Sequence, residues 1–345
     1  MRSSFLAILL FAACLSIWAQ TPAQSASQAS PDPAIAHARQ LLEQGKYDEA
    51  IRELQQLSLS QSQSQPQIKG LAHELGVAYY RKGDYRQAIE SLKQALAQDP
   101  EDAEATQLVG ISFYLSGNPR DAIPFLEKVQ TWYPRANVDA SYILGQCYIQ
   151  TKDYEHARRA FAKMFDLAPD SAASYLLAAR MLFREEFEPV AIEFVQRAIS
   201  IDPKLPRAHL LLGEIHLFES QIPQAIADFQ SELALNPSDA VAYYKLADAD
   251  SRVQKFEEAE RLLQRSIWLD PTSTGPYVLM GKVLEKKGEP ELAARALRRA
   301  AQMDPNNAMT HHLLGQVYRD LGDQEQAERE LKLSGELESA TDSKP

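Results

Sequence analysis

Two histidines seven residues apart, His209 and His216, and the adjacent pair His311-His312 are the residues best suited to hold a metal ion or move a proton. Seven residues span about two helical turns, so His209 and His216 would share one helix face. A metal would want a third ligand nearby, and no H-E-x-x-H or C-x-x-C stretch supplies one. The carboxylate pairs Glu185-Glu186 and Glu257-Glu258 stand in turns or at helix starts. Acidic residues there complement a helix N-terminus, whereas general acid–base work needs a pocket and a shifted pKa. Of the 2 cysteines, Cys14 lies in the leading segment and Cys147 at a helix position expected to pack inside. There is no phosphate-cradling glycine loop and no G-x-S-x-G. No catalytic residue, metal ligand or cofactor is assigned, and the chain reads as a non-enzyme.

The elements that position these residues are repeats. Pro100, Pro134, Pro169, Pro203, Pro237, Pro271 and Pro305 are spaced by 34, 35, 34, 34, 34 and 34 residues. A strict period of this size is the mark of a repeat array. Twelve before each proline stands an alanine: Ala88, Ala122, Ala157, Ala191, Ala225, Ala259 and Ala293. Twenty-four before it stands Gly76, Gly110, Gly145, Ala179, Gly213, Ala247 or Gly281. Eight before it stands Leu92, Leu126, Phe161, Val195, Phe229, Leu263 or Leu297. Small residues at fixed sites let two helix backbones approach closely. Apolar residues fall at i, i+3, i+4 spacing, as in Ala88-Ile89-Leu92-Ala95-Leu96. Each period therefore predicts two helices and a turn. Gly45, Gly83, Gly117, Gly288 and Gly322 mark that turn, where the backbone needs positive φ. The fifth unit reads Glu185-Glu186-Phe187-Glu188-Pro189 there, without glycine, which predicts an irregular turn. The closing proline follows Asp99, Asp202, Asn236, Asp270 or Asp304, so the second helix should stop just before it.

This pattern resembles the tetratricopeptide repeat family. The matching residues in one repeat are Ala72, Leu75, Gly76, Tyr79, Ala88, Leu92 and Pro100, and in another Ser141, Leu144, Gly145, Tyr148, Ala157, Phe161 and Pro169. A third runs Tyr277, Met280, Gly281, Leu284, Ala293, Leu297 and Pro305. The resemblance covers residues 34–338 and implies an all-α fold, a right-handed α-solenoid superhelix of about nine units. The units run near 34–64, 69–102, 103–136, 138–171, 172–205, 206–239, 240–273, 274–307 and 308–338, the outer two atypical. The single 35-residue step predicts a looser junction near Asn137. In the family His209, His216 and His311 occupy positions that pack.

The resemblance also implies a site. In such arrays the first helices line a concave groove in which partners lie. The inward positions here carry Tyr80, Tyr114, Tyr142, Phe183, Phe218 and Tyr244, with Arg81, Arg180, Arg184, Arg207 and Arg252 among them. Aromatics and arginines dominate many interfaces, and arginine pairs with carboxylates at two points. The implied partner is a peptide or protein with apolar anchors and some acidic character. The Lys/Asn carboxylate clamp of some family members is missing: the corresponding sites are Val77, Ile111 and Gln146, and His73, Gln107 and Tyr142.

A formal net charge of −11 argues against nucleic acid as a general partner. At the start, Met1-Arg2-Ser3-Ser4 is followed by an apolar run from Phe5 to Trp18, too short to span a bilayer comfortably. Residues 1–19 read as an export signal cut after Ala19. Phe11-Ala12-Ala13-Cys14 also resembles a bacterial lipobox, so lipidation of Cys14 is the alternative, and with it membrane tethering. Residues 20–33 and the Ser58–Gln67 run read as flexible spacers, and 339–345 as a disordered tail. The sequence thus predicts an exported, non-catalytic scaffold of the periplasm or cell envelope. A lipid-anchored assembly factor and a substrate-recruiting enzyme accessory are the alternatives.

Overall fold

The computed structural model describes residues 33–60, 68, 70–132 and 138–342. The described residues are helical throughout and divide into two compact units, one ending at Ser112 and the other beginning at Phe113. The first contains α1 (Pro33–Glu43), α2 (Tyr47–Ser60), α3 (Leu71–Lys82), α4 (Tyr85–Gln98) and most of α5 (Ala103–Leu115). The second contains α6 (Pro119–Trp132), α7 (Val138–Gln150), α8 (Tyr154–Met164), α9 (Ala172–Arg184), α10 (Glu188–Ile201), α11 (Ala208–Phe218) and α12 (Ile222–Leu235). It continues through α13 (Ala240–Arg252), α14 (Phe256–Leu269), α15 (Thr274–Lys286), α16 (Pro290–Met303), α17 (Ala308–Asp320) and α18 (Gln324–Asp342). In the first unit α1 packs on α2, α2 on α3 and α3 on α4, and in the second each helix from α6 to α17 packs on the one that follows. The export and lipidation readings and the junction near Asn137 lie outside the described residues. So does most of the Ser58–Gln67 run, although its first three residues belong to α2. At the other end α18 runs to Asp342, past the point where the sequence predicts a disordered tail. No proline interrupts it, and the Ser339 hydroxyl donates back to the Glu336 carbonyl.

The residues of the period are the core. All seven repeat alanines are buried, as are the seven large residues four positions on. The small residues Gly76, Gly145, Gly213 and Gly281 of the odd helices lie beneath that large side chain. A Cβ built on Gly145 would stand 2.3 Å from the Phe161 ring, and one on Gly213 would stand 2.6 Å from Phe229. Gly76 and Gly281 meet Leu92 and Leu297 in the same way, at 2.4 Å. Glycine is required at these sites because the large side chain of the following helix sits directly on the backbone, and not for its φ.

The prolines stop the helices as predicted. Helices α4, α10, α12, α14 and α16 each end two residues before one. The carboxylate or amide just ahead of the proline accepts from the backbone N–H two residues on. Asp99 receives Glu101 N–H at 3.1 Å, Asp202 receives Lys204 at 3.0 Å and Asp270 receives Thr272 at 3.0 Å. The next helix is then capped by Asp239 or Asn307, whose side chains accept from the first-turn N–H groups.

The fifth turn corrects the prediction of irregularity. Glu186 adopts φ 63 and closes its helix as Gly83 does. Glu186 N–H donates to the Phe183 carbonyl and Phe187 N–H to that of Leu182, the pair that Gly83 and Asp84 make to Tyr80 and Tyr79. Lys152, Ser220 and Gln254 repeat this at φ 64, 62 and 62. A left-handed residue other than glycine costs about 1 kcal/mol, less than the packing of the flanking helices returns.

In the first unit, His73 on α3 is half-buried, with Nδ1 2.6 Å from Asp102 and Nε2 3.5 Å from Glu104. Burial alone would lower the imidazole's pKa, but the two carboxylates outweigh it and push it up to about 10. A raised pKa stabilises the fold fully below the unfolded value of 6.5, and that stability is lost as pH rises through about 10. The size is about 2–4 kcal/mol. Asp102 and Glu104 are shifted down, so their share is lost instead on acidification. The expected result is that the urea midpoint of the α1–α4 region falls between pH 7 and 10. In His73→Gln that decline should be absent, as hydrogen exchange of α3 would report.

Candidate protein-binding surface

In the second unit the odd helices form a row: α9 packs on α11, α11 on α13, α13 on α15 and α15 on α17. Each also packs on its even partners, so one face of the row is left to present side chains. On α9, Arg180 and Phe183 are half-buried and Arg184 is exposed. Phe218, the last residue of α11, is 63% exposed. The Phe183 and Phe218 rings meet edge to face, with centroids 5.7 Å apart and planes at 82°. Neither Arg180 nor Arg184 forms an ion pair among the described residues. Most other cations near this row do. Lys245 on α13 reaches Glu214 on α11 at 3.0 Å, and Arg252 binds Asp248 at 3.0 Å.

The other sequence-predicted positions separate from this cluster in definite ways. Tyr80 and Arg81 lie in the first unit, where the Tyr80 ring packs against Tyr85 with centroids 6.1 Å apart. Tyr114 is half-buried and hydrogen-bonded to the Gln150 side chain, and burial pushes its hydroxyl up to about 12. Tyr142 packs on Phe161 and receives a hydrogen bond from Gln146, which also donates to Glu185 at 3.2 Å. Tyr114 thus links neighbouring repeats, and the contacts given for Tyr80 and Tyr142 lie within one repeat. Tyr244 is half-buried against Gly275 of α15, where a Cβ would come 3.4 Å from its hydroxyl oxygen. Arg207 is not part of the cluster. It precedes the first turn of α11 in a left-handed conformation, 3.9 Å from Asp239, at the opposite end of the row from Arg184 and Phe218.

His216 and His311 are held by carboxylates. His216 Nδ1 lies 2.6 Å from Asp228, and His311 bridges Glu330 at 2.6 Å and the Pro305 carbonyl at 3.0 Å. His209 is half-buried, with an unpartnered Nδ1. Cys147 is fully buried and its thiol is pushed up to about 12, which leaves it un-ionised at neutral pH. Among the described residues no group of three His, Cys, Asp or Glu is placed to hold a metal ion. A hollow of about 540 Å³ opens between α6, α7 and α8, and Glu127, Gln130, Tyr148 and His156 on its wall are engaged with neighbouring groups. Tyr148 donates to Glu127 at 2.5 Å and stacks on His156. Among the described residues no helix is long and apolar enough to cross a membrane.

Sequence reasoning missed the Glu214–Lys245 pair, which ties α11 to α13. Its signal is opposite charges 31 residues apart, one period less a helical turn.

A helix pair closed by a left-handed turn, a small residue under a large one and a proline stop, repeated at 34 residues, defines a tetratricopeptide array. Tetratricopeptide repeat models match residues 31–56, 73–137, 113–180, 275–307 and 296–329, and the chain belongs to this family. Solved structures similar to it include MamA from Desulfovibrio magneticus RS-1, 20% identical over 50% of this chain and 98% of that one, TM-score 0.47. Pseudomonas aeruginosa PilF is also 20% identical, over 56% of this chain and 88% of that one, TM-score 0.47. YrrB, described as a TPR protein with an unusual peptide-binding site, is 20% identical over 52% of this chain and 93% of its own, TM-score 0.44. No curated protein matches the chain in sequence.

Proposed function

We propose that this protein is a non-catalytic scaffold that holds a peptide or protein partner against the row formed by α9, α11 and α13. The observation that carries this reading is the exposed Phe218 ring, packed on half-buried Phe183, beside two arginines without ion-pair partners among the described residues. Exposed aromatics with free guanidinium groups are the composition of an interface core. A repeat array of this family supplies an extended surface and no catalytic pocket. Reading residues 1–19 as an export signal adds that the partner belongs to the cell envelope. The mass of the mature N-terminus tests that addition, and a diacylated Cys14 would replace free export by anchoring.

The surface is tested by changing Arg180 and Arg184 together to Glu and recovering partners from envelope extract. Loss of the partners held by the unaltered chain is expected. Undiminished recovery of the same partners would overturn the reading.

A further inference from the structure

The turns carry a second observation about the same row. At the turn position of every described helix pair the backbone is left-handed, and at Gly45, Gly83, Gly117, Gly288 and Gly322 it costs nothing. In four consecutive repeats the residue has a side chain: Lys152, Glu186, Ser220 and Gln254. All four are exposed, and their side chains make no hydrogen bond or ion pair among the described residues. The flanking helices hold the backbone in this shape and leave the four side chains facing solvent. These residues follow the ends of α7, α9, α11 and α13, so they stand along the rim on which Arg184, Phe218 and Arg252 also lie. Val253, next to Gln254, is a further exposed apolar residue of that rim.

We propose that this rim, rather than the length of the row, is the docking edge, and that its occupant is an extended segment of a partner protein with a carboxylate three residues from a large apolar side chain. The proposal rests on the reading of the row as a partner surface. The spacing follows from geometry. Packed helices stand about 8–10 Å apart, and an extended chain advances about 3.3 Å per residue, so neighbouring repeats meet residues three apart. The carboxylate pairs with Arg184, whose guanidinium has no internal partner, in two-point geometry. The apolar side chain covers Phe218 against Phe183. One repeat further, Val253 offers a second apolar contact. Arg252 is already held by Asp248, so the charge preference is set at α9. The chain's own leading residues 1–31 contain no Asp or Glu, which makes them a poor occupant of this edge.

The test is selection of a random seven-residue phage-displayed peptide library on the full-length chain. The expected enrichment is Asp or Glu three positions from Phe, Leu, Trp or Tyr. Peptides so enriched should bind the Arg184→Glu/Phe218→Ser chain at least tenfold more weakly by fluorescence anisotropy. They should bind Arg184→Lys with intermediate affinity. Both side chains are exposed, and circular dichroism would confirm that the variants remain helical. Enrichment without that spacing, or equal binding to the double variant, would overturn the proposal. Concentration-dependent self-association that disappears in the double variant would also overturn it, in favour of a second copy. If the Arg180/Arg184 change abolishes partner recovery while no spacing emerges, the partner surface stands and only the rim assignment falls.

Discussion

Replacing Gly145 by alanine is expected to lower the urea stability of the second unit by about 2 kcal/mol. Alanine is the better helix former by about 1 kcal/mol, so the sign comes from collision. The new Cβ would lie 2.3–2.8 Å from three atoms of the Phe161 ring. That ring is fully buried and leans on Tyr142, so it has no free rotamer to take. Overpacking of this kind costs about 1–3 kcal/mol, and a rigid aromatic belongs at the upper end. The protein's own repeats indicate the rescue. Both phenylalanines at this site, Phe161 and Phe229, lie over glycine, whereas the repeats with Leu263 and Val195 at this site carry Ala247 and Ala179 at the glycine position. The double change Gly145→Ala/Phe161→Leu recreates the Ala247–Leu263 pairing. It should lose at least 1 kcal/mol less than the sum of the single changes. Strict additivity in that cycle would mean that the pair does not act as a unit.

Arg158 is the second position with a large expected effect. It is 1% exposed, yet it carries a full charge. Its guanidinium donates to Glu155 at 2.7 Å, to Asp170 at 3.0 Å and to the Ser174 hydroxyl at 3.3 Å, and it lies 4.2 Å over the Tyr175 ring. Burial opposes the charge, but the hydrogen bonds to Glu155 and Asp170 outweigh it and raise the pKa above its ordinary value. Arg158→Ala should cost about 2–3 kcal/mol through lost stacking, lost hydrogen bonds and a cavity. The loss stops there because both carboxylates face solvent and recover water when the cation goes. Arg158→Met should restore about half, since a flexible apolar side chain refills the volume without the charge. An equal loss in both variants, read from urea midpoints, would show that the charge and not the volume is what matters.

The repeat architecture is legible in the sequence because its determinants are local and recur. The alanines twelve before each proline are buried where the period puts them, and the Asx–Pro stops close five helices as read. What the sequence does not reveal depends on neighbours from other elements. Arg158 follows a repeat alanine and looks like a solvated arginine. Only the convergence of Glu155, Asp170, Ser174 and Tyr175 makes it a core residue. The Glu186 turn looks broken when glycine is taken as the mark of a turn, yet the flanking helices impose the left-handed backbone on glutamate. Among the candidate surface residues, one position per repeat serves both bracing and display. Register alone does not distinguish Tyr142, tied down by Gln146, from Phe218, which faces water.

Among the described residues, the helices of the second unit pack on those one or two places away along the chain. Pulled at both ends, such a stack has no distant cross-link to shear. It would give way one repeat at a time, each step releasing about 34 residues, or roughly 120 Å of extended chain. A partner laid across several repeats would act as a splint, making separate low-force steps into a single rupture. Tension on this chain would thus report whether the surface is occupied.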